Sequence, residues 1–485
     1  MGLIFIPVYI KYLGIDSFGL IAFFGVLQAW LALLDMGMAP TLNREMARFI
    51  GGASTADSIR DLLRSIETIA IAIAAITIFC IWLAADWIAS YWINSEFLSD
   101  AVVSNAIVIM GFVIGFRFIE TIYKSSIIGL QRQGVLNLVT SVMATLRGLG
   151  AVGILAFVSP TIEAYFYWQV CVSATSVIAL SAITYLTIPK PSRRTTFSLT
   201  ALVSVRSFLF GMFGVTFLSL LLVQLDKVIL SKLLTLSEYG YYSLAIVVSG
   251  SVNTLSAPIT QAFFPRLAEL HASRSESTFA EVFHLGCQLV TVIVGTASLI
   301  LVFYSHTLLL LWTTSELIAQ QSSTVVSVYA LGNFLNATLR VPYLAQLAFG
   351  WTSLAVKVNS LAVFAVVPAI VYAANNYGSI GAAWVWVLLN TGYLLIVSHL
   401  MFRRILCQHK LKWYIQDLLQ PVVGAVAVLF LARTLLETPD SNFGKLALVL
   451  LIAGLSFTAS AFLAPSVRRQ IFITSNRLRT SVTTA

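Results

Sequence analysis

Long apolar segments recur along the whole chain, with few polar residues between them. The chain has 485 residues, only 10% of them are charged, and its mean hydropathy is +0.91. An α-helix rises about 1.5 Å per residue, so a run of about 20 apolar residues spans the ~30 Å hydrocarbon core of a bilayer. A soluble core does not need so many runs of this length. The sequence therefore predicts an all-α polytopic membrane protein.

Fourteen candidate membrane helices follow from the apolar runs. They lie near residues 1–13, 18–39, 65–93, 101–123, 135–158, 164–188, 205–231, 239–263, 281–312, 321–348, 354–374, 380–402, 414–436 and 446–464. The longest polar stretch, 40–64, is shorter than a soluble domain of roughly 50 residues or more. Any function is therefore expected inside the helix bundle.

Basic residues concentrate in alternate connections, which indicates how the chain is oriented. Arg60, Arg194 and Arg404 lie in connections of this set. Short cytoplasmic loops carry an excess of Lys and Arg, so these connections and both termini are expected on the cytoplasmic side of a bacterial inner membrane. The same loop pattern accounts for the net charge of +9, and nucleic-acid binding is not indicated.

An internal repeat divides the predicted helices into two lobes. The motif around Gly19, YLGIDSFGL, has a counterpart around Gly240, LLTLSEYGY, at an offset of 221 residues. The offset spans six helices, an even number, so both lobes have the same orientation and form a parallel repeat. Two such lobes are expected to enclose a central cavity. The predicted domains are an N-terminal lobe of helices 1–6 over residues 1–195, a C-terminal lobe of helices 7–12 over 196–412, and two extra helices with a basic cytoplasmic tail over 413–485.

Four segments resemble the oligosaccharide flippases. They are PVYIKYLGIDSFGL from Pro7, LLDMGMAPTLNR from Leu33, QLDKVILSK from Gln224 with YGYYSLA from Tyr239, and AFFPRLAE from Ala262. These motifs are loose patterns, and no active-site signature is among them. The resemblance is to the Wzx-like O-antigen and exopolysaccharide repeat-unit flippases, within the superfamily of multidrug, oligosaccharidyl-lipid and polysaccharide exporters.

The resemblance implies a flippase that moves undecaprenyl-pyrophosphate-linked oligosaccharide repeat units across the cytoplasmic membrane by alternating access, for O-antigen, capsule or exopolysaccharide synthesis. Its implied partners are the lipid-linked oligosaccharide and membrane lipids, with a polysaccharide polymerase and a chain-length regulator as further candidates. A multidrug exporter of organic cations and a lipid II flippase are alternatives of the same fold. No cofactor is implied.

The first predicted helix is shorter than the family pattern. Thirteen residues precede Gly14, and a helix of that length reaches about 20 Å, short of the ~30 Å hydrocarbon core. The equivalent helix of the second lobe begins near Arg206. We therefore expect ~15–25 further residues upstream of Met1, enough to complete a span.

Three arginines inside the predicted helices are the candidate substrate-binding residues. An ionisable side chain at the bilayer centre costs roughly 2.5–3.5 kcal/mol, so such groups are usually paired or face a wet cavity. Arg147 and Arg340 lie deepest and have no matching acid in their own helices. Arg117 is the third candidate. Guanidinium groups suit a pyrophosphate because they donate charge-assisted, often bidentate hydrogen bonds to phosphate oxygens.

Four further residues are candidates for ion coupling or for structural pairing: Asp35, Glu120, Asp226 and Lys227. Glu120 lies one turn from Arg117 and is placed to pair with it. Asp35 precedes a Gly and Pro break, where it can instead bond backbone groups. Asp226 and Lys227 can form an interfacial ion pair. The sequence does not choose which acid would carry a coupling ion.

The sequence carries no signature of a metal site, a nucleotide site or a catalytic centre. The cysteines Cys80, Cys171, Cys287 and Cys407 are isolated, so no disulfide or metal framework is indicated. Gly-rich phosphate loops and nucleophile elbows are absent, so transport is expected to use an ion gradient or the substrate gradient. A membrane polymerase or glycosyltransferase is the alternative from another class. It would need an external loop with paired carboxylates or cations, and the outer connections are too short to form one.

Overall fold

The computed structural model describes residues 2–35, 37–52, 54–190, 193, 195–198, 224–351, 353–437 and 439–473. The named secondary-structure elements of these residues are all helices. The β-type pairing among the described residues is limited to an isolated bridge between Asn94 and Thr235. The predicted all-α fold is confirmed. The chain divides into two compact units, Met1–Gly240 and Tyr241–Ala485.

Six helices are described before the chain reaches residue 190. They are α1 (Gly2–Leu31), α2 (Met38–Ile50), α3 (Ala56–Trp92), α4 (Asp100–Gly129), α5 (Gln133–Phe157) and α6 (Ile162–Thr187). A single 3₁₀ turn, Ala32–Asp35, joins α1 to α2. Residues 224–233 are helical as well. The rest of the helix predicted over 205–231 lies outside the described residues.

Seven helices follow from residue 236 onward. They are α7 (Leu236–Ala272), α8 (Glu276–Thr313), α9 (Glu316–Thr338), α10 (Arg340–Ala348), α11 (Ser353–Phe402), α12 (Lys410–Leu435) and α13 (Asn442–Leu463). A 3₁₀ turn, Ser251–Ser256, interrupts α7, and π-turns interrupt α8, α11 and α12. Residues 465–473 form a further helical segment.

Ten helices among the described residues are long and apolar enough to cross a membrane. Each coincides with one or two of the apolar runs that predict membrane helices. The chain is therefore a multi-pass membrane protein. The complete set of fourteen spans and the lobe boundaries at 195 and 412 stay predictions.

Two of the long helices contain a sharp break at a glycine with positive φ. Gly14 in α1 has φ 80°, and Gly378 in α11 has φ 59°. L-residues with a Cβ rarely adopt this region, whereas glycine enters it without a steric penalty. The two breaks fall where the sequence predicts the boundaries between helices 1–13 and 18–39 and between helices 354–374 and 380–402. Each long helix thus consists of two predicted helices joined at a glycine.

One predicted helix, 321–348, is divided in the structure. Helix α9 ends at Thr338 and α10 begins at Arg340. Pro342 has no backbone N–H, so the carbonyl of Thr338 cannot accept the usual hydrogen bond from four residues further on. The division places Arg340 at the first position of a short helix rather than in the middle of a long one.

Candidate functional site

The first unit contains a cavity of about 200 Å³ between α1, α3, α4 and the 3₁₀ turn. We call it the Arg117 cavity. Its polar lining comes from Gln28, Asp35, Thr77, Arg117 and Thr121, and its apolar lining from residues of the same elements. It therefore combines one cationic side chain with one carboxylate in a largely apolar wall.

Neutral groups hold the guanidinium of Arg117. Its Nη1 donates to Gln28 Oε1 at 2.5 Å, and its Nη2 lies 3.4 Å from Gln169 Oε1. The guanidinium also lies over the ring of Phe24, 5.2 Å from the centroid. Within the described part of the chain its Nε has no hydrogen-bond partner, and no carboxylate forms an ion pair with it. These partners orient the guanidinium without neutralising its charge.

The predicted pairing of Arg117 with Glu120 is wrong. The Glu120 carboxylate is only 2% exposed and is paired elsewhere. Its Oε2 accepts from Arg147 Nη2 at 2.9 Å, and its Oε1 accepts from Lys124 Nζ at 2.9 Å and from Ser176 Oγ at 2.7 Å. Arg147 thus has a matching acid, but that acid lies on α4 while Arg147 lies on α5. Arg147 is not among the side chains that line the Arg117 cavity.

Asp35 forms a hydrogen bond with the backbone, which is one of the two roles that the sequence leaves open for it. Its Oδ1 accepts from the Ala39 N–H at 3.0 Å and so bonds an N–H of the first turn of α2. The first N–H groups of a helix have no partner inside the helix, so an acceptor at this position stabilises the helix start. The Asp35 carboxylate also lines the Arg117 cavity, although it forms no ion pair with Arg117 within 4.0 Å.

The second unit contains a cavity of about 340 Å³ between α9, α10 and α11, which we call the Arg340 cavity. Arg340 Nη2 donates to Asn253 Oδ1, in the 3₁₀ turn of α7, at 3.2 Å. Its buried Nε has no partner, and no carboxylate of the described residues pairs with it. Asn336, Asn359 and Tyr393 add uncharged polar groups to the lining.

The two cavities share one arrangement: a guanidinium held by carboxamide oxygens. Burying a charge without a counter-ion is unfavourable, and the amide dipoles of Gln28 and Asn253 offset only part of that penalty. An anion entering either cavity would supply the missing charge. Each cavity is therefore suited chemically to an anionic group.

Asp226 and Lys227 lie in the helical residues 224–233. Lys227 Nζ donates to Gln224 Oε1 at 3.0 Å. Neither residue is among those lining the Arg117 or the Arg340 cavity.

Sequence reasoning missed two buried polar clusters. The Glu67 carboxylate accepts hydrogen bonds from Tyr123 Oη at 2.5 Å and Tyr185 Oη at 2.6 Å. In the second unit, Asp417 is fully buried and its Oδ2 lies 2.5 Å from His284 Nδ1. In the sequence, the sign of each cluster is a single acidic residue or histidine within an apolar run. That sign identifies a polar residue but not its partners on other helices: Tyr123 and Tyr185 lie on α4 and α6, whereas Glu67 lies on α3.

The fold is shared by solved membrane transporters. The lipid II flippase MurJ in an inward closed conformation aligns with 96% of this chain and 98% of its own, with a TM-score of 0.64 and 13% identity. An inward-facing multidrug resistance MATE family transporter of the MOP superfamily covers 83% of this chain and 94% of its own, with a TM-score of 0.66 and 13% identity. At this identity the likeness shows the fold alone. The chain therefore shares the fold of these two solved proteins.

The sequence comparison supplies the family. Residues 1–271 match the family described as polysaccharide biosynthesis protein, so the chain belongs to that family. A putative O-antigen transporter of Shigella flexneri is 25% identical over 183 residues. That match covers 37% of this chain and 43% of the relative. The chain thus spans less than half the length of this curated relative.

Proposed function

We propose that this protein is a flippase for oligosaccharides linked to a polyprenyl pyrophosphate, the undecaprenyl carrier being the one that the sequence resemblance implies. The observation that carries the proposal is the pair of cavities in which Arg117 and Arg340 are held by neutral amide oxygens. A pyrophosphate is the part of such a substrate that most needs cations. The proposal is further supported by the family and by the putative O-antigen transporter to which the chain is similar.

Guanidinium groups bind phosphate oxygens strongly because their planar donors match the geometry of two oxygens at once. In a low-dielectric cavity this interaction is stronger than in water, since no solvent screens it. The two arginines have no ion-pair partner among the described residues, which favours an anionic substrate over an organic cation. A lipid II flippase would use the same chemistry, because its substrate also carries a polyprenyl pyrophosphate, and the saccharide used in the assay distinguishes the two.

We propose different roles for the three arginines. Arg117 and Arg340 bind the anionic headgroup, each in its own unit. Arg147 holds Glu120 and so stabilises the packing of α5 on α4. Asp35 stabilises the start of α2, and its place in the Arg117 cavity leaves it available as a coupling acid.

The proposed setting is a bacterial cytoplasmic membrane, with both termini in the cytoplasm, and the proposed mode of transport is alternating access. The lobes 1–195 and 196–412 are part of this proposal. The polysaccharide polymerase and the chain-length regulator are the proposed protein partners, because they would consume the translocated repeat units.

The flippase proposal is tested with the purified protein in proteoliposomes that contain a fluorescent polyprenyl-pyrophosphate oligosaccharide. We expect the labelled lipid to become accessible to a quencher or a glycosidase on the opposite leaflet. Arg117→Ala should slow this movement at least about tenfold, since it removes a charged hydrogen-bond donor of roughly 1.5–3 kcal/mol. Arg117→Lys should recover part of the rate, because lysine keeps the charge but loses the planar fork.

The matched control for that assay is Arg48→Ala, which removes an exposed arginine paired with Glu45 on α2. It should move the lipid at the wild-type rate. Equal transport of a polyprenyl pyrophosphate and of a neutral lipid with the same saccharide would contradict recognition of the pyrophosphate. Transport of organic cations by the same vesicles would favour the multidrug alternative.

The topology proposal predicts that three basic positions face the cytoplasm. Arg60 lies near the start of α3, Arg404 lies in the connection before α12, and Arg194 lies outside the described residues. Single cysteines placed there, in a variant lacking all four native cysteines, should resist an impermeant thiol reagent in intact cells. They should react once the cells are opened. A cysteine at Glu316, in a connection predicted to lie outside, is the positive control. Labelling of all three basic positions in intact cells would invert the orientation.

A further inference from the structure

A second group of ionisable side chains lies in the second unit, away from the Arg340 cavity. Three side chains form a hydrogen-bonded chain: Asp417 Oδ2 lies 2.5 Å from His284 Nδ1, and His284 Nε2 lies 2.8 Å from His409 Nδ1. Asp417 and His284 are 0% and 1% exposed. We call this group the His284–Asp417 cluster. It links helices α8 and α12 to the connection before α12.

The outer end of the cluster opens into a large cavity. His409 lines a cavity of about 1140 Å³ between the end of α7, the start of α8 and the connection 403–409. The chain of hydrogen bonds therefore runs from a side chain at a wide cavity to a carboxylate with no exposed surface. The other ionisable groups lining this cavity are His271, Arg274, Glu276, Glu281, Arg404 and Cys407, together with Lys412.

Two further ionisable groups influence the cluster itself. Lys412 acts on both His409 and Asp417, and the buried Cys287 thiol lies near Asp417. Burial, the neighbouring His284 and Lys412 together lower the pKa of His409 from its ordinary value. His409 is therefore neutral at neutral pH and gains a proton only when the cavity becomes acidic.

The bonding pattern allows an added proton to move inward along the cluster. In the starting state that these distances permit, Asp417 is ionised and accepts from His284 Nδ1–H, while His284 Nε2 accepts from His409 Nδ1–H, so the cluster carries one negative charge. A proton arriving at His409 Nε2 makes an imidazolium, which passes its Nδ1 proton to His284 Nε2. His409 is then neutral again, and His284 carries one positive charge beside the Asp417 carboxylate. One proton has entered from the cavity and no other group has changed its charge.

We propose that the His284–Asp417 cluster is a proton-binding site, loaded from the cavity through His409. The site takes one proton because a single buried carboxylate compensates a single positive charge, whereas a second charge would be buried without a counter-ion. Protonation turns an isolated buried anion into an ion pair that has no net charge.

The cluster is connected to the C-terminal part of the chain. Gln288 Nε2 donates to Asp417 Oδ1 at 2.8 Å, and Gln288 Oε1 accepts from the Ser466 N–H at 2.7 Å and from the Val467 N–H at 3.3 Å. Trp413, one turn before Asp417, packs in the core of the same unit. A change of charge at Asp417 therefore acts where α8, α12 and the residues after α13 meet. A role of the cluster in coupling proton binding to transport rests on the proposed function. Proton binding by the cluster does not.

Proton binding is measured without substrate, by NMR of the full-length protein in nanodiscs with isotope-labelled histidine rings. The chain has five histidines, so single substitutions assign the signals. When the cavity is acidified we expect the cluster to gain one proton, which gives both ring nitrogens of His284 a hydrogen-bonded proton. In Asp417→Asn the proton affinity of His284 should fall at least about tenfold, since an adjacent opposite charge is worth roughly 1–3 pH units.

His409→Gln tests the entry route and remains informative if Asp417→Asn does not fold. His284 should still take up its proton, but its exchange with solvent should slow at least about tenfold because the side chain at the cavity is removed. His271→Gln is the matched control. His271 lines the same cavity, its ring centroid lies 3.9 Å from that of Phe349 with the two rings tilted by 33°, and it is not a member of the His284–Asp417 cluster. It should leave both the affinity and the exchange of His284 unchanged.

Three results would overturn the proton site: a His284 ring that stays neutral in the wild type down to about pH 5, an unchanged titration in a folded Asp417→Asn protein, or unchanged exchange in His409→Gln. Each leaves the flippase proposal intact. Conversely, a normal titration in a protein that moves no lipid in proteoliposomes would overturn the flippase proposal and leave the proton site standing.

Discussion

Arg340→Ala is expected to abolish export of the lipid-linked oligosaccharide while the folded protein accumulates normally. The guanidinium donates to one amide oxygen, Asn253 Oδ1 at 3.2 Å, and no described carboxylate depends on it. Its removal leaves no buried anion unpaired, so stability should change little. A desolvated charge pair with a pyrophosphate is worth roughly 2–5 kcal/mol, so the transport rate should fall about 30-fold or more. Surface polysaccharide and vesicle transport measure the loss.

Two further variants define the role of Arg340. Arg340→Lys should restore transport only in part, since the ammonium group lacks the fork that meets two phosphate oxygens. Arg433→Ala, at the exposed end of α12, removes an arginine of the same unit and should transport like the wild type. If Arg340→Ala transports normally at native expression, Arg340 is not a substrate cation.

Glu120→Ala is expected to have the largest effect on stability. The buried carboxylate compensates Arg147 and Lys124 at 2.9 Å each, so its removal leaves two cations without their acid. Breaking a buried pair from one side typically costs about 3–5 kcal/mol. Because a folded domain is stable by only about 5–15 kcal/mol, much of the protein should fail to accumulate. Membrane protein level and thermal stability in detergent measure the effect.

The double variant Glu120→Gln/Arg147→Met should recover part of that loss, because Arg147 is then no longer a charge without its acid, whereas Lys124, whose side chain is 34% exposed, still lacks its acid. The matched control is Glu269→Ala, which breaks the pair with Arg266 at 2.8 Å. Both of those side chains are about half exposed or more, at 49% and 65%, and such pairs contribute roughly 0–1 kcal/mol. If the Arg147→Ala protein folds normally but does not transport, Arg147 is a substrate-binding residue and its proposed structural role is wrong.

Much of the fold could be predicted from the sequence because the signals are local. Apolar runs of about 20 residues predict helices wherever they occur, and the described helices lie where those runs lie. Gly14 and Gly378 mark two helix boundaries because only glycine enters the backbone region that each break needs. The proline at 342 was visible in the sequence, but the division of one predicted helix at residue 339 was missed.

The candidate site was predicted only in part, by residue type and depth. The sequence indicated that Arg117, Arg147 and Arg340 are intramembrane cations, and it could not say which are paired. In the structure Arg147 meets Glu120 of another helix, whereas Arg117 and Arg340 meet carboxamides. The expected Arg117–Glu120 pair has the right helical spacing, but Glu120 points instead toward groups on neighbouring helices.

Hydropathy along the sequence determined that this chain crosses a membrane many times. The charged residues within the apolar runs determined which side chains are candidates for a functional role. Tertiary structure alone decided the partners. Gln28 lies 89 residues from Arg117, and Asp417 lies 133 residues from His284. Such contacts depend on how each helix is rotated and packed against its neighbours, because two polar groups meet only if both face the same interface. The apolar pattern of one helix carries no information about the polar residue that a different helix will bring to that interface.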